Sequence, residues 1–401
     1  MSTATVPLVA LGDCCDVVNG TTPKAGVASH WVGDIVWVTP TDLGQLQGIY
    51  IDQSARTISN DALNSHNLTL CPAGSVVLSS RAPIGHLAIA SVPICTNQGC
   101  KTLVPHSGVK SEYLFYSLLR VVPKLQALGS GATFAEISKS QVESFLIPLP
   151  TLVEQERIVT HLTRALTAVE ASRGAAEDRL AAAKSLPAAY LREVFEGPMS
   201  GMWEMRTLGE MVHGNGQYGT SRSSNKDGRG LAVLGMPNIH QGRIRWEKIA
   251  SADLNPEETA KYRLVVGDIL FNRTNSAELV GKTAVFDGAR EAVFASYLIR
   301  YRAAEDLADP HFICSYINSR RGRSYIERHM TRAVGQVNIS ASTMHLMPIP
   351  CPPLAEQQHV ATELSQHFGA TELIVARCRE ELAAIEALAA AVLRSAFNGE
   401  S

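Results

Sequence analysis

The chain has 401 residues, 45% of them hydrophobic and 18% charged, which describes two or three folded domains with ample material for buried cores. Its 36 basic and 38 acidic side chains leave a formal charge of −2, and that total by itself points to neither nucleic acid nor an anionic membrane. Eight cysteines without a Cys-x-x-Cys pair read as reduced, mostly buried thiols, and the absence of a basic leader or an apolar run of ~18 residues sets the expectation of a cytoplasmic chain with no membrane span.

From the N-terminus, Leu11-Gly12-Asp13 opens a region rich in Gly, Pro, Ser, Thr and β-branched residues. Ile35-Val36-Trp37-Val38 and residues 74–78 read as strands between turns, and apolar spacing over 113–119 predicts a helix. The region closes at Ile147-Pro148-Leu149-Pro150. Residues 152–197 are instead rich in Ala, Leu, Glu and Arg, with proline before them and Gly197 at the end, the stop signals of one long helix.

The pattern then restarts. Leu208-Gly209-Glu210 matches the opening, residues 267–271 the second strand, residues 312–325 the helix, and Met347-Pro348-Ile349-Pro350 the close. Residues 152–197 align without a gap onto 354–399, with 17 identities in 46 positions, including Leu152-x-Glu154-Gln155 against Leu354-x-Glu356-Gln357. The organisation is therefore a mixed α/β head (1–151), a helix (152–200), a second head (201–351) and a second helix (352–401).

Steps of four and three residues mark an apolar seam in the second helix: Leu364, Phe368, Thr371, Val375, Cys378, Leu382, Ile385, Ala389, Val392 and Ala396. The first helix offers Leu162, Leu166, Val169, Arg173, Ala176, Leu180, Ala183, Pro187, Tyr190 and Val194. Arg173 is an awkward member, and Pro187 is expected to kink or interrupt the helix. Periodicity leaves two readings open: each helix packs on its own head, or the two pair with each other. Antiparallel pairing of two ~60 Å helices would make a spacer between two similar heads, suited to a target with separated halves, such as spaced half-sites on a DNA duplex.

Charge by segment removes the objection raised by the total. The first head carries 8 basic and 9 acidic groups, whereas the second carries 19 and 15, with 15 of the 19 being arginine, the residue suited to bidentate contact with guanine or phosphate. Residues 352–401 carry 3 basic and 7 acidic groups and cancel that excess.

With this order of motifs the chain resembles the specificity subunits of type I restriction–modification systems along essentially its whole length. The doubled Leu-Gly opening and the junctions Pro148-Leu149-Pro150-Thr151-Leu152-x-Glu154-Gln155 and Pro350-Cys351-Pro352-Pro353-Leu354-x-Glu356-Gln357 carry the resemblance. So do Asn19-Gly20-Thr21-Thr22-Pro23, Ser80-Arg81-Ala82-Pro83-Ile84-Gly85, Thr96-Asn97-Gln98-Gly99 and Gly131-Ala132-Thr133-Phe134. The second head departs from it, with Ala295-Ser296-Tyr297 and Gly335-Gln336-Val337-Asn338 at the last two places.

The resemblance implies an α+β fold of two target-recognition domains related by a pseudo-two-fold repeat, held by two long helices paired as an antiparallel coiled coil. It implies double-stranded DNA as target, one half-site per domain, and docking of two methyltransferase subunits and of restriction–translocase subunits. No cofactor is expected in this chain; S-adenosylmethionine, ATP and Mg are expected on those partners, and catalysis with them.

Enzyme-like strings are weak beside this. Gly214-Asn215-Gly216-Gln217-Tyr218-Gly219 is a literal G-x-G-x-x-G followed by loop rather than helix, and Gly281-Lys282-Thr283 lacks the first glycine of a phosphate loop. Two rival readings stay open: a nucleic-acid enzyme with an unrecognised site, and a protein-binding scaffold.

Candidate DNA contacts are the polar and basic loop residues. In the first head these are Thr22, Lys24, Thr39, Thr41, Arg81, Asn97, Gln98, Lys101, Thr133 and Lys139. In the second they are Arg222, Lys226, Arg229, Asn238, Arg243, Arg245, Arg273, Asn275, Lys282, Arg332, Gln336 and Asn338. Arg81 and Arg273 stand out because each follows the same repeated strand. Leu162, Leu166, Val169, Leu180, Leu364, Phe368, Leu382, Ile385 and Val392 are the candidate helix-pairing residues.

Overall fold

A computed structural model describes residues 6–65, 68–81, 83–128, 136–223, 225, 228, 230–240, 242–276, 279–333 and 336–398. The candidates Thr133, Lys226 and Arg229 lie outside the described residues. The chain divides into two compact units, Met1–Ala176 with Glu380–Ser401, and Glu177–Arg379.

In the first unit, strands Cys15–Asn19, Cys100–Pro105, Val76–Ser79, Leu87–Ala90 and Tyr50–Ile51 form one sheet in that order, and Thr57–Ile58, Ile35–Val38 and Ile94–Thr96 a second. The second unit repeats this: Val212–Tyr218, Leu298–Ala303, Ile269–Asn272 and Thr283–Val285 in one sheet, and Ala250–Ala252, Leu231–Leu234 and Ala292–Phe294 in the other. The 74–78 and 267–271 runs, read as strands between turns, become the fully buried strands Val76–Ser79 and Ile269–Asn272.

Each head is closed by pairing its start with its end, Leu8–Ala10 against Leu146–Pro148 and Met205–Thr207 against Pro348–Pro350. Such an edge pair tolerates proline because the missing donor is not needed.

The two helices run Leu152–Glu196 and Leu354–Asn398. Gln155 and Gln357 of the repeated Glu-Gln step are completely buried, and each ties its helix to its head in the same way. Gln155 accepts from the Lys110 amide (2.9 Å) and donates to the carbonyls of Gly108 (2.9 Å) and Pro150 (2.9 Å). Gln357 accepts from the Asp309 amide (3.1 Å) and donates to Leu307 (3.0 Å) and Pro352 (2.8 Å). Each glutamine amide is fully used by three backbone groups at the junction of head and helix, which explains why glutamine recurs there.

In the first unit Ile158, Leu162 and Leu166 from the early turns of the first helix share a core with Val392, Leu393 and Phe397 from the last turns of the second. In the second unit Leu191 and Phe195 from the end of the first helix share a core with Ala361 and Leu364 from the start of the second, and Tyr190 stacks on His367 at 4.3 Å. Start against end in each unit is antiparallel pairing, and the same cores include the heads, so both readings left open by the periodicity hold at once. Leu162, Leu166, Val169, Leu180, Leu364, Phe368, Leu382, Ile385 and Val392 are all buried or half-buried.

The awkward seam members find simple solutions. Arg173 is half-buried and turns its guanidinium back to Glu170 (2.6 Å), leaving its stem on the seam. The helix is not interrupted at Pro187 but continues to Glu196. Phe195, fully buried, meets Phe312 and Tyr316 of the second head at 5.4 and 5.2 Å, and outweighs the one amide hydrogen bond that proline removes.

One expected helix is divided. Residues 312–325 fall in two helices, Pro310–Asn318 and Arg320–His329, because Ser319 is extended and caps the second through the Gly322 amide (3.3 Å). Ser319→Ala is expected to cost about 1 kcal/mol of stability, checked by chemical denaturation.

All eight cysteines are buried, and burial pushes the Cys71 thiol up to about 11 and the Cys314 thiol up to about 12, away from the reactive thiolate. Among the described residues no helix is long and apolar enough to cross a membrane.

Candidate nucleic-acid interface

The G-x-G-x-x-G string lies on strand Val212–Tyr218 and ends one residue past it at Gly219, and the pairing register of that strand slips between His213 and Gln217. Gly214 and Gly216 have φ of +69° and +77°, and a Cβ on Gly216 would meet the Tyr301 ring at 2.6 Å. These glycines build a β-bulge, not a phosphate cradle.

In the second head the chain leaving strand Ile269–Asn272 forms a small three-stranded ribbon: Thr274–Asn275, Gln336–Asn338 and Thr331–Ala333. It brings together five candidates from two distant stretches: Arg273, Asn275, Arg332, Gln336 and Asn338. Arg273 is held by its backbone, donating to the Tyr297 carbonyl (3.1 Å) and accepting from the Ile339 amide (3.0 Å). Its guanidinium donates one hydrogen bond to Asn338 Oδ1 (3.3 Å) and lies 4.8 Å from the Tyr218 ring centre. No carboxylate pairs with it among the described residues, so most of its donor fork is unused. Arg332 and Gln336 are exposed.

Two aromatic residues absent from the candidate set flank the ribbon, Tyr218 (39% exposed) and Tyr297 (53% exposed). The signal for Tyr297 was its position in the string that replaces Thr96-Asn97-Gln98-Gly99.

The first head makes the same backbone bridge with different chemistry. The Ile137 amide donates to the Ser80 carbonyl (3.0 Å) as that of Ile339 does to Arg273, so Ser80, not Arg81, is the counterpart of Arg273. Arg81 pairs in register with Glu136 as Thr274 does with Asn338. Glu136 lies 3.8 Å from the Arg81 guanidinium and 3.6 Å from the ammonium of Lys101, which is buried and reaches Ser80 Oγ at 3.3 Å. A carboxylate thus offsets two cations in the first head where an amide leaves Arg273 unopposed in the second.

Nearby, Thr22 donates to Gln98, and Asn97 accepts the Gly99 amide (3.0 Å). A Cβ on Gly20 would fall 1.7 Å from the Asn97 carbonyl oxygen, which fixes glycine in the Asn19-Gly20-Thr21 string. Lys24 and Thr41 are exposed, Thr39 caps helix Pro40–Gln45, and Lys139 pairs with Glu143 (3.4 Å). Arg56, missed because its partners are remote in sequence, stacks 3.5 Å over Trp31.

Several candidates of the second head are engaged within the protein. Asn238 is buried and holds the Gly235 amide and the Arg245 carbonyl, both at 3.0 Å. Arg222 pairs with Glu258 (2.9 Å), and Arg243 with Glu372 of the second helix (3.1 Å). Arg245 is exposed and Lys282 half-buried, both without a salt bridge among the described residues. Part of the arginine excess is structural too, since fully buried Asp268 accepts from Arg302 (2.7 Å) and Arg300 (3.5 Å).

Comparison with known proteins places this architecture. The family model described as type I restriction modification DNA specificity domain matches residues 5–175 and again 201–383. The MjaIX type I restriction enzyme specificity subunit of Methanocaldococcus jannaschii is 39% identical over 153 residues, covering 38% of this chain and 35% of that protein. The EcoKI specificity subunit of Escherichia coli K12 is 25% identical over 339 residues, covering 80% of this chain and 72% of its own. The chain thus spans about a third of the first relative and nearly three quarters of the second.

Two solved structures share the fold over almost the full length. One, from work on complex assembly and conformational transition of the type I R-M system, has a TM-score of 0.74 at 20% identity, covering 98% of both chains. The other, the HsdS subunit of Thermoanaerobacter tengcongensis, has a TM-score of 0.61 at 19% identity, covering 100% of this chain and 98% of that one. With one match in each head, continuing into each long helix, the chain belongs to the type I restriction–modification DNA specificity family.

Proposed function

We propose that this chain is the non-catalytic specificity subunit of a type I restriction–modification complex, reading a split duplex target with one half-site per head. The observation that carries this reading is the doubled bridge at the end of the same strand, Ser80–Ile137 in one head and Arg273–Ile339 in the other. In the second head it sets an unopposed arginine beside Asn275, Gln336 and Asn338. An arginine fork matches the O6 and N7 edge of guanine, and asparagine or glutamine the N6 and N7 edge of adenine, in the major groove. The self-neutralised first head fits a subunit that receives part of its phosphate attraction from partners.

Those partners are two methyltransferase subunits, which bring S-adenosylmethionine and the methylation of adenine, and restriction–translocase subunits, which bring ATP, Mg and cleavage. Leu373 (68% exposed) and Leu388 (51% exposed) on the second helix are apolar side chains available to such partners.

Co-expression with the methyltransferase encoded beside this chain, followed by genome-wide mapping of methylated adenine, tests the reading. The expected result is a motif of two fixed halves around an unread spacer, with no methylation by the purified chain alone. A continuous motif contradicts split recognition, and methylation by the chain alone favours the enzyme reading. Loss of all DNA affinity, even in complex, favours the scaffold reading.

A further inference from the structure

In the second unit a cleft of about 1350 Å³ opens between the head and the parts of the two long helices that belong to that unit. Five of its lining residues are cations without a salt bridge or side-chain hydrogen bond among the described residues: Lys184 and Arg192 on the first helix, Arg379 on the second, and Arg245 and Lys282 on the head. The acidic lining residues are already engaged, Asp287 by Trp246 Nε1 (3.1 Å) and Glu372 by Arg243 (3.1 Å). Leu191, Ile244, Phe368 and Val375 give the cleft an apolar floor.

The five unpaired cations outnumber the two lining carboxylates, of which Glu372 is paired with Arg243, and an excess of one sign of charge in a cleft concentrates the field that attracts a polyanion. His240, also in the lining, reports that field: burial first, then Arg245 and Lys282, hold its imidazole below the usual range against the opposing pull of Glu372 and Glu247.

The cleft adjoins the reading ribbon. The Lys282 carbonyl accepts from the amide of Asn272, the residue before Arg273 (2.9 Å). Arg245 donates its amide to the Asn238 carbonyl (2.8 Å), in the turn whose Met236 sulfur meets Asn275 Nδ2 at 3.6 Å. These contacts join the head wall of the cleft to the chain that forms the ribbon.

We propose that this cleft holds the sugar–phosphate backbone of the unread duplex next to the second head's half-site, with phosphates on the cationic rim and deoxyribose faces on the apolar floor. The proposal rests on the DNA-reading function above. It assigns Lys184, Arg192, Arg245, Lys282 and Arg379 to sequence-independent binding, apart from the ribbon residues that choose bases.

The test is the variant Arg245→Gln/Lys282→Gln/Arg379→Gln, assembled with its methyltransferase subunits and titrated with target duplex over a range of salt. Each lost phosphate contact makes the slope of log affinity against log salt shallower by about 0.9, so a change of about three is expected, with affinity down at least tenfold at low salt. Preference for the target over a duplex with one half-site scrambled stays as in the parent. Lys282→Gln alone gives about one third of the slope change and guards against a fold defect in the triple variant. Unchanged slope and affinity overturn the proposal. So does poorer recovery of the assembled complex with normal duplex affinity, which would assign the cleft to an acidic segment of a partner. Displacement of inorganic phosphate or ATP with duplex binding untouched also overturns it, in favour of a free phosphate ligand. A parent complex with no target preference overturns the DNA reading itself, and the cleft assignment with it.

Discussion

Inserting seven residues after Ala176 and seven more after Arg379 is expected to lengthen the unread spacer by about three base pairs and leave both half-sites unchanged. These positions are the limits of the two compact units, so neither core is cut. Seven residues preserve the four-and-three seam that buries Leu162 and Leu364, whereas three or four would rotate it out of phase. At ~1.5 Å per helical residue the addition is ~10 Å, against ~3.4 Å per base pair along one strand. Adenine-methylation mapping of cells carrying the double insertion reads the outcome, a complete change of target from two insertions remote from any base contact. An altered half-site contradicts a ruler made of helices. Insertion in one helix alone mismatches the pair and is expected to abolish assembly.

Arg273→Ala is expected to cost ~1–3 kcal/mol of target affinity and to relax the second half-site at one base pair. The backbone bridge at this position does not depend on the side chain, because Ser80 makes the same bridge in the first head. Fold stability should therefore change little. Arg273→Lys separates charge from geometry: lysine keeps the cation and the salt dependence but has no planar fork, so base preference falls while the salt slope holds. Competition between the target and single-base variants, each at two salt concentrations, measures both. Unchanged affinity and unchanged preference in Arg273→Ala remove the residue from the interface.

Much of this organisation is legible in the sequence, and the reason is repetition. The aligned helices, the Leu-Gly openings and the Glu-Gln steps recur because each copy solves the same packing problem locally. Gln155 and Gln357 satisfy the same three backbone groups, and Phe195 and Phe397 end each helix in a core. The four-and-three spacing located the covered faces, including members as unpromising as Arg173 and Pro187. Two local outcomes turned on context: the helix continues through Pro187 because tertiary burial continues past it, and residues 312–325 divided at a serine that caps better than it propagates.

The interface was less legible because its chemistry depends on partners remote in sequence. Asn238, Lys101 and Arg243 look like free loop residues in the string, but the fold gives them an amide to cap, a carboxylate neighbour and a helix to hold. Tyr218 carries no sequence signal of its own and Tyr297 only its place in the replaced string, and Arg245 and Lys282 come together with Arg379 only through the packing of the head on the helices.

Sequence alone determined the class of molecule: two copies of a head-plus-helix unit, each helix with an apolar seam to cover, and an arginine excess confined to the second copy. Periodicity and repetition are short-range or in-register properties that survive in one dimension. Only the tertiary structure decided which cations are neutralised and which are left to act. Charge compensation acts over a few ångströms, and it was folding that set Glu136 against Arg81 and Lys101 but gave Arg273 only an asparagine.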